Sequence, residues 1–500
     1  MKKANKKITL LSVISSIILQ ISSIISGFII PRIIISYFGS ETNGLISSIN
    51  QFLSYISLIE GGVTSVITAS LYKPLVKKDE KKISSIIATT NRFYRKIGMI
   101  FLVYCIGVAI LYPLLFDLNF SYFYTCILTL VLSINLFIQY MFSLTLRTLL
   151  NADKKVYIVS ITQTVIIILN IILAIISVNI YPNIFLLKII SCVLFTFQPI
   201  IFSIYIKKNY NIDKKAKVDN DLLKNRWNGF AINIAYFIHS STDITLLTIF
   251  TDLKTVSIYS IYALVTNGLK SVINSIANGL NPTIGQTLAI GDDNETLKKL
   301  NIYEFIIFIL VYYIFSVALL LIVPFVMIYT KGITDTNYYQ PLFGTLILLS
   351  EALYLLKLPH VNLAYAANKF KEITIPAFVE AVLNIVISII LVNKIGIIGV
   401  AIGTIIAMLY RLIFHVSYTK KIIKSYSIKS FYKKFILFSI ISFIGIVICS
   451  NCISPISYNL SSWCMHSIVY SLIMAALFIV LSVLFYKKEI LYIKKYLIKK

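Results

Sequence analysis

The sequence predicts an all-α polytopic membrane protein with about 14 transmembrane helices, built as two six-helix lobes that are parallel repeats, followed by a C-terminal helical hairpin. Three observations predict it: the apolar composition, the distribution of basic residues and an internal repeat. Of the 500 residues, 58% are hydrophobic and 13% are charged, and that charged share is about half the usual one in a globular chain. This composition excludes a soluble enzyme, a disordered chain and a fibrous repeat.

The apolar residues are grouped into runs of the length that a membrane requires. A helix that crosses a bilayer needs roughly 20 predominantly apolar residues. The first run follows basic residues without a small-residue cleavage site, so we interpret it as a retained span rather than a signal peptide. The predicted spans are 8–37, 44–72, 97–116, 121–149, 156–177, 184–206, 227–250, 255–281, 303–329, 341–367, 373–392, 396–416, 435–452 and 466–486.

The basic residues lie almost entirely on one side of this topology. If the N-terminus is cytoplasmic, the cytoplasmic segments and their edges hold 38 of the 46 Lys and Arg residues, and the external segments hold only Lys254, Lys331 and Lys394. This asymmetry is the positive-inside pattern, and it places both termini in the cytoplasm. The net charge of +26 therefore indicates orientation and contact with anionic lipid headgroups. We expect no nucleic-acid partner.

The loops are too short to hold an enzyme. The longest external loop runs from about Ile453 to Met465, whereas a membrane glycosyltransferase or polymerase would need sizeable external loops for its chemistry. No GxxxxGK[ST] motif is present for nucleotide hydrolysis. Cys449 and Cys452 form a CxxC near Cys464, but no second pair or His cluster completes a zinc site. We expect no catalytic residue, no metal and no cofactor, which leaves transport within the membrane.

An internal repeat organises the predicted domains. The sequence at 152–154 (ADK) resembles that at 367–369 (ANK) with an offset of 215, whereas Asn170 matches Asn384, and 178–179 matches 392–393, with an offset of 214. A single-residue slip reconciles the two offsets. Because each repeat contains six spans, the two repeats enter the membrane from the same side. The predicted domains are the N-lobe (1–210), a cytoplasmic linker (211–226), the C-lobe (227–420) and the extra hairpin with its basic tail (430–500).

Ionisable residues occur within the predicted spans, where each charge costs roughly 2.5–3.5 kcal/mol. They cluster on spans one, two, seven and eight, which correspond between the repeats. One interpretation is a hydrated cavity between the lobes that binds an anionic group through Arg and Lys and a coupling ion, H⁺ or Na⁺, through acidic groups and His. The alternative is that these charges pair and hold helices together. The substrate-binding candidates are Arg32, Lys270, Asn267 and Asn274, and the ion-coupling candidates are Asp243, Glu60 and His239.

A second set of ionisable residues lies on spans ten and eleven, and Pro359 is expected to bend span ten. We favour a buried Lys357–Glu380 pair as its explanation and keep a functional role as the alternative. The secondary candidates are Glu351, Lys357, His360 and Glu380. Lys188, Arg147 and Arg411 lie near span ends, and we interpret them as side chains that reach the membrane interface.

Segments near the N-terminus carry a family resemblance. They are 30–39 (IPRIIISYFG), 43–45 (NGL) and 60–62 (EGG). Together with the repeat-junction sequence at 367–369 they resemble the Wzx-type polysaccharide transporters, which are oligosaccharide flippases of the multidrug/oligosaccharidyl-lipid/polysaccharide exporter superfamily. Many members of that family have twelve spans, whereas fourteen are predicted in this chain. Fourteen is usual in the related lipid II flippases, where the added pair shapes a groove for the lipid tail.

The resemblance implies a multi-pass plasma-membrane flippase that is not an enzyme. It implies two six-helix lobes around a cavity lined mostly by helices 1, 2, 7 and 8, and export of undecaprenyl-diphosphate-linked oligosaccharide by ion-coupled alternating access for surface polysaccharide biosynthesis. The expected partners are that lipid-linked substrate, membrane lipids, and a polysaccharide polymerase and glycosyltransferases. The alternatives are a lipid II flippase or a drug/cation antiporter of the same fold and, from another class, a membrane glycosyltransferase or polymerase.

Overall fold

The computed structural model describes residues 2–60, 63–116, 119–213, 216–219, 222, 230–454 and 456–498. Throughout these residues the secondary structure is helix joined by turns, without strands, which confirms the predicted all-α polytopic class. The chain divides into two compact units, Met1–Phe237 and Ile238–Lys500. The division falls within a helix rather than in the segment 211–226, and the domain bounds drawn from the sequence stay a prediction.

The first compact unit contains eight complete helices among its described residues. A π-helical turn, Gln139–Ser143, joins α5 to α6, and such turns are frequent at functional sites. The helices are α1 (Lys2–Ser54), α2 (Ser57–Glu60), α3 (Val63–Lys77), α4 (Glu80–Leu115), α5 (Tyr122–Ile138), α6 (Leu144–Ala152), α7 (Val156–Ile180) and α8 (Ile184–Asn209).

The helix α9 (Phe230–Phe250) spans the boundary between the units, and the second unit contains the helices that follow it. The regular helix is interrupted at Lys357, between α12 and α13 and two residues before Pro359, where a bend in span ten is predicted. These helices are α10 (Leu253–Ile290), α11 (Asp293–Tyr329), α12 (Pro341–Leu356), α13 (Leu358–Ala366), α14 (Phe370–Ile395), α15 (Ile397–Ile422), α16 (Ile428–Cys452), α17 (Leu460–Phe485) and α18 (Lys487–Ile498).

Twelve helical segments of the described chain are long and apolar enough to cross a membrane, against about 14 predicted spans. The first segment, Leu10–Glu60, contains residues 10–37 of the first predicted span and residues 44–60 of the second. The two are continuous except for a kink at Gly39, whose φ of 82° and ψ of 167° are accessible essentially only to glycine. The seventh predicted span corresponds to α9, which runs from Phe230 to Phe250.

The internal repeat is visible in the turns that join consecutive helices. The turn after α6 has Lys154 at φ 60°, and the turn after α13 has Asn368 at φ 55°. In the first, the amide of Lys155 donates to the carbonyl of Leu150, and in the second the amide of Lys369 donates to the carbonyl of Ala364. Equivalent residues of the two turns are 214 positions apart in the sequence. The single-residue slip inferred from the ADK and ANK sequences is therefore not needed. Lys154 corresponds to Asn368, not to Lys369.

Each of the matched asparagines forms a hydrogen bond with a hydroxyl group on the following helix. Asn170 on α7 accepts a hydrogen bond of 2.8 Å from Ser191 on α8. Asn384 on α14 donates one of 3.1 Å to Thr404 on α15. Each asparagine therefore joins the two helices of a hairpin, although one accepts and the other donates its hydrogen bond.

The described part of the predicted linker lies along the beginning of α4. The amide of Asp213 donates to Ser84 Oγ at 3.0 Å, and the amide of Asp219 donates to Thr89 Oγ1 at 2.8 Å. The Asp219 carboxylate also forms an ion pair of 2.7 Å with Lys82. Side chains of α4 thus satisfy backbone groups of a segment that has no regular secondary structure of its own.

Close helix packing in the second unit depends on two glycines four residues apart, Gly399 and Gly403. A Cβ atom at Gly399 would lie 2.5 Å from the backbone of Leu391, and one at Gly403 would lie 2.9 Å from the amide of Ser388. This is the G-x-x-x-G arrangement by which membrane helices approach closely. It brings the backbone of α15 against α14 beside the Asn384–Thr404 hydrogen bond.

The C-terminal hairpin, α16 and α17, is attached along the length of α11. Tyr312 shares a hydrogen bond of 2.9 Å with Ser439, and Ser316 shares one with Ser442. Farther along α11, the indole of Trp463 donates to the carbonyl of Leu321 at 3.2 Å. The hairpin is therefore joined to α11 by polar contacts as well as by aromatic packing.

Candidate functional site

Arg32 lies on α1, directly after Pro31, and its side chain is half-buried. The neighbouring side chains of Ile30 and Ile33 pack against a buried cluster from α7 and α8 that contains Ala174 and Leu187. This packing fixes the turn of α1 that carries the guanidinium. The structure thus provides a fixed position for the predicted cation.

Glu60 is part of a hydrogen-bonded network in the first unit. Thr64 Oγ1 donates to Glu60 Oε1 at 2.6 Å and lies 2.6 Å from the hydroxyl of Tyr94. Tyr140, on the π-helical turn, donates to Glu60 Oε2 at 3.4 Å. Gly61 and Gly62, which follow Glu60 in the sequence, lie outside the described residues. Both oxygens of this carboxylate accept hydrogen bonds, as a charge within a membrane requires.

Asp243 lies on α9 and is 9% exposed. Tyr259 on α10 donates to its Oδ2 atom at 2.8 Å, and Thr404 on α15 lies within 3.3 Å of the same oxygen. Because Asn384 also donates to Thr404, a chain of hydrogen bonds leads from α14 through α15 to the carboxylate. The side chain of His239, the other candidate on this helix, lies outside the described part of the chain.

Lys270 forms an ion pair of 2.8 Å with Glu351, and the two side chains are 20% and 17% exposed. Its charge is therefore compensated in this conformation, and both partners are partly exposed. The ring of Tyr354 lies between two cations, with Lys270 Nζ 5.4 Å and Lys357 Nζ 4.5 Å from its centre. Such contacts contribute about 0.5–2 kcal/mol each. Three sequence candidates, Lys270, Glu351 and Lys357, are thus close neighbours.

The predicted Lys357–Glu380 contact is present, at 3.8 Å, with both side chains buried. Arg411 also reaches Glu380, at 3.3 Å, and donates to His415 at 2.9 Å. The expectation that Arg411 extends to the membrane interface is wrong, because its side chain is 5% exposed. The reason is that a carboxylate is within reach, so the guanidinium is compensated without leaving the protein.

His360 belongs to a second buried cluster. Its Nδ1 atom lies 2.9 Å from the hydroxyl of Thr419, and its Nε2 atom lies 3.7 Å from Glu304. Glu304 forms an ion pair of 2.8 Å with Lys434 on α16. Glu304 and Lys434 were not predicted as a pair, because Lys434 ends a basic stretch that is typical of a cytoplasmic loop. Their positions within α11 and α16 place them at 1% and 4% exposure.

Asn267 and Asn274 lie on α10, on the same helix as Lys270. Asn267 is exposed and Asn274 is half-buried. The structure therefore places both predicted amides where another molecule can reach them. The sequence did not indicate Tyr259 and Thr404, which donate to Asp243. Hydroxyl residues are frequent in these helices, so their spacing carries no signal.

The fold matches those of known membrane transporters. The lipid II flippase MurJ, in an inward closed conformation, superimposes with a TM-score of 0.70 over 94% of this chain and 98% of its own, at 18% sequence identity. An inward-facing multidrug resistance MATE family transporter of the MOP superfamily has a TM-score of 0.66, covering 84% of this chain and 100% of its own at 11% identity. The eukaryotic MATE transporter AtDTX14 has a TM-score of 0.58, covering 86% and 98% at 13% identity.

No protein-family model matches the sequence, and no curated protein matches it either. At the identities above, a shared structure establishes a shared fold and nothing narrower. The chain is therefore a polytopic helical membrane protein with the fold that MurJ and the MATE transporters of the MOP superfamily share.

Proposed function

We propose that this protein is a plasma-membrane flippase for undecaprenyl-diphosphate-linked oligosaccharide, acting by ion-coupled alternating access in surface polysaccharide biosynthesis, whether of capsule, exopolysaccharide or O-antigen. The observation that carries the proposal is the extent of the likeness to MurJ. A match over 94% of the chain leaves fewer residues unmatched than α16 and α17 contain, so the likeness continues into the C-terminal hairpin. The MATE transporters described above cover 84% and 86%. The lipid II flippase MurJ is thus a better guide to the function of this chain than the MATE transporters are.

The membrane-embedded cations support an anionic substrate. Arg32 offers a planar fork of donors and Lys270 offers a compact charge, and both geometries suit phosphate oxygens. Lys270 forms an ion pair with Glu351. A diphosphate that binds Lys270 would therefore displace the Glu351 carboxylate from it. Partial exposure of this pair makes the exchange feasible, since solvent can rehydrate the released carboxylate.

Asp243 is the proposed ion-coupling group, with Glu60 and His239 as further candidates. Its partners are the hydroxyl groups of Tyr259 and Thr404. Hydroxyl and carboxylate oxygens are suitable ligands for a hard cation, and a carboxylate can equally take up a proton. The coupling ion is H⁺ or Na⁺. In this role Asp243 would change its hydrogen-bond partners when the ion binds, and it would perform no covalent chemistry.

The drug/cation antiporter alternative rests on the MATE likeness. An organic cation would be bound by an acidic site without competing basic groups. Arg32 on α1 and Lys270 on α10 lie within the membrane-spanning helices and disfavour such a ligand. The partners that follow from the proposed flippase function are lipid-linked sugars, membrane lipids, and the polymerase and glycosyltransferases of the same polymer.

The experiment replaces Arg32 or Lys270 with Ala and measures lipid-linked oligosaccharide in the inner leaflet of cells that depend on the protein. We expect the intermediate to accumulate at wild-type protein levels. Lys394→Ala is the control, because Lys394 is an exposed lysine at the end of α14. Normal export in both the Arg32 and the Lys270 variant would refute the cation-binding role, and a wild-type protein that moves organic cations instead would refute the flippase.

A further inference from the structure

The helix α10 has three distinct faces. One face is buried and contains Thr266, Ile273, Ala277 and Ile284, each at most 2% exposed. On an ideal helix these four residues lie within about 20° of a common direction. The other two faces lie on either side of this buried face, and both are accessible.

The two accessible faces differ in chemistry. Asn267, Asn274 and Asn278 lie about 100° from the buried direction on one side, and all three are exposed or half-buried. Val272 and Ile276 lie about 100° away on the other side and are 48% and 38% exposed. Amides and apolar side chains are therefore separated on opposite flanks of one membrane-spanning helix.

The amide face cannot be directed at lipid at low cost. A polar group left without a hydrogen-bond partner in hydrocarbon costs several kcal/mol, and neither Asn267 nor Asn274 has a partner among the residues that the structure describes. Val272 and Ile276 are suited to acyl chains. The amide face therefore meets water or a bound molecule.

The amide face is open beyond the three asparagines, and its own side chains are uncharged. It continues to Gly285, where an added Cβ would meet nothing within 4 Å, and Asn267 to Asn278 alone extend about 16 Å along the helix. Lys270, which lies on the same helix, is compensated by Glu351 at 2.8 Å. A long, neutral surface of donors and acceptors is suited to a neutral ligand with many hydroxyl groups, and not to an ion.

We infer that the amide face of α10, formed by Asn267, Asn274 and Asn278, binds the sugar part of the translocated lipid. The inference rests on the proposed function and adds to it which residues bind which part of the substrate. The cations bind the diphosphate, and the amides bind hydroxyl groups of the oligosaccharide. Because each amide both donates and accepts, this face can follow a chain of sugars without charge selection.

The test uses the purified full-length protein and two probes, an undecaprenyl-diphosphate-linked trisaccharide and undecaprenyl diphosphate without sugar. The variant Asn267→Leu/Asn274→Leu retains side-chain size and removes the amides. We expect it to bind the trisaccharide probe about tenfold more weakly and to bind the sugar-free probe as the wild type does. The matched control is Val272→Ala/Ile276→Ala, which alters the other accessible flank and should change neither affinity.

Three results would overturn the inference, and they are distinguishable. If the wild type binds both probes and the Leu variant binds them equally well, the proposed function stands but the amide face does not bind sugar. If the variant loses affinity for both probes alike, the amides do not discriminate the sugar part. If the wild type binds neither probe, the proposed function fails and the inference fails with it.

Discussion

Replacement of Lys434 by Met is expected to leave the buried Glu304 carboxylate without the cation that compensates it. Lys434 and Glu304 are 2.8 Å apart and 4% and 1% exposed. With an effective dielectric constant of about 20, Coulomb's law gives an attraction of about 6 kcal/mol at this distance, most of which offsets the desolvation of the two ions. Removing one partner leaves the desolvation of the other uncompensated, at a cost of about 3–5 kcal/mol. Met retains the length and apolar stem of Lys, so packing changes little.

The measurement is the free energy of unfolding in mixed micelles, in a double-mutant cycle. We expect Lys434→Met to lower it by about 3–5 kcal/mol, and Lys434→Met/Glu304→Gln to recover most of the loss, because no ion then remains buried. Lys433→Met is the matched control on the same helix, since Lys433 is exposed, and it should change stability by less than about 0.5 kcal/mol.

Two results would refute this reasoning. A loss below about 1 kcal/mol for Lys434→Met would mean that water reaches Glu304, as it does at an exposed pair. A double variant as unstable as the single one would mean that the loss comes from packing and not from charge. Either result would remove the ion pair as an attachment between α11 and α16.

Three further predictions concern packing, a turn and an interhelical hydrogen bond. Gly403→Leu should destabilise the protein by about 1–3 kcal/mol, because its side chain would meet the Ser388 backbone; an unchanged melting temperature would contradict the close packing of α14 and α15. Asn368→Val should cost about 1–2 kcal/mol because of its positive φ of 55°, while Asn368→Gly should be nearly neutral in the same melting assay. Trp463→Phe should lower the free energy of unfolding by about 1 kcal/mol, since it removes the hydrogen bond to Leu321, and equal stability would show that the bond contributes nothing.

The sequence was sufficient to predict the helical class and most helix positions. Hydropathy depends on local composition, and a bilayer requires a nearly fixed length of apolar helix. The exception is at Gly39, where one residue joins two predicted spans into a kinked helix. Apolar runs indicate how much helix is buried in lipid, but they do not indicate whether the chain stops or bends between two runs.

The candidate site was only partly predictable, because its partners are distant in sequence. Asp243 and Lys270 stand out as charges within apolar runs, but Thr404 is separated from Asp243 by 161 residues, and a single Thr in a helix is unremarkable. Lys434 was assigned to a loop because neighbouring lysines are cytoplasmic in the predicted topology. Its burial depends on Glu304, 130 residues away, and a single sequence gives no sign of such pairing.

The contacts along α11 constrain any attempt to shorten this protein. A chain ending near residue 425 would retain the repeat but would expose the Glu304 carboxylate and the Tyr312 and Ser316 hydroxyls to acyl chains, because Lys434, Ser439 and Ser442 would be gone. A shortened protein that lacks the hairpin would therefore also require apolar substitutions at these three positions of α11. Loss of the last two spans by simple truncation, whether in the laboratory or during evolution, would yield a poorly inserted protein.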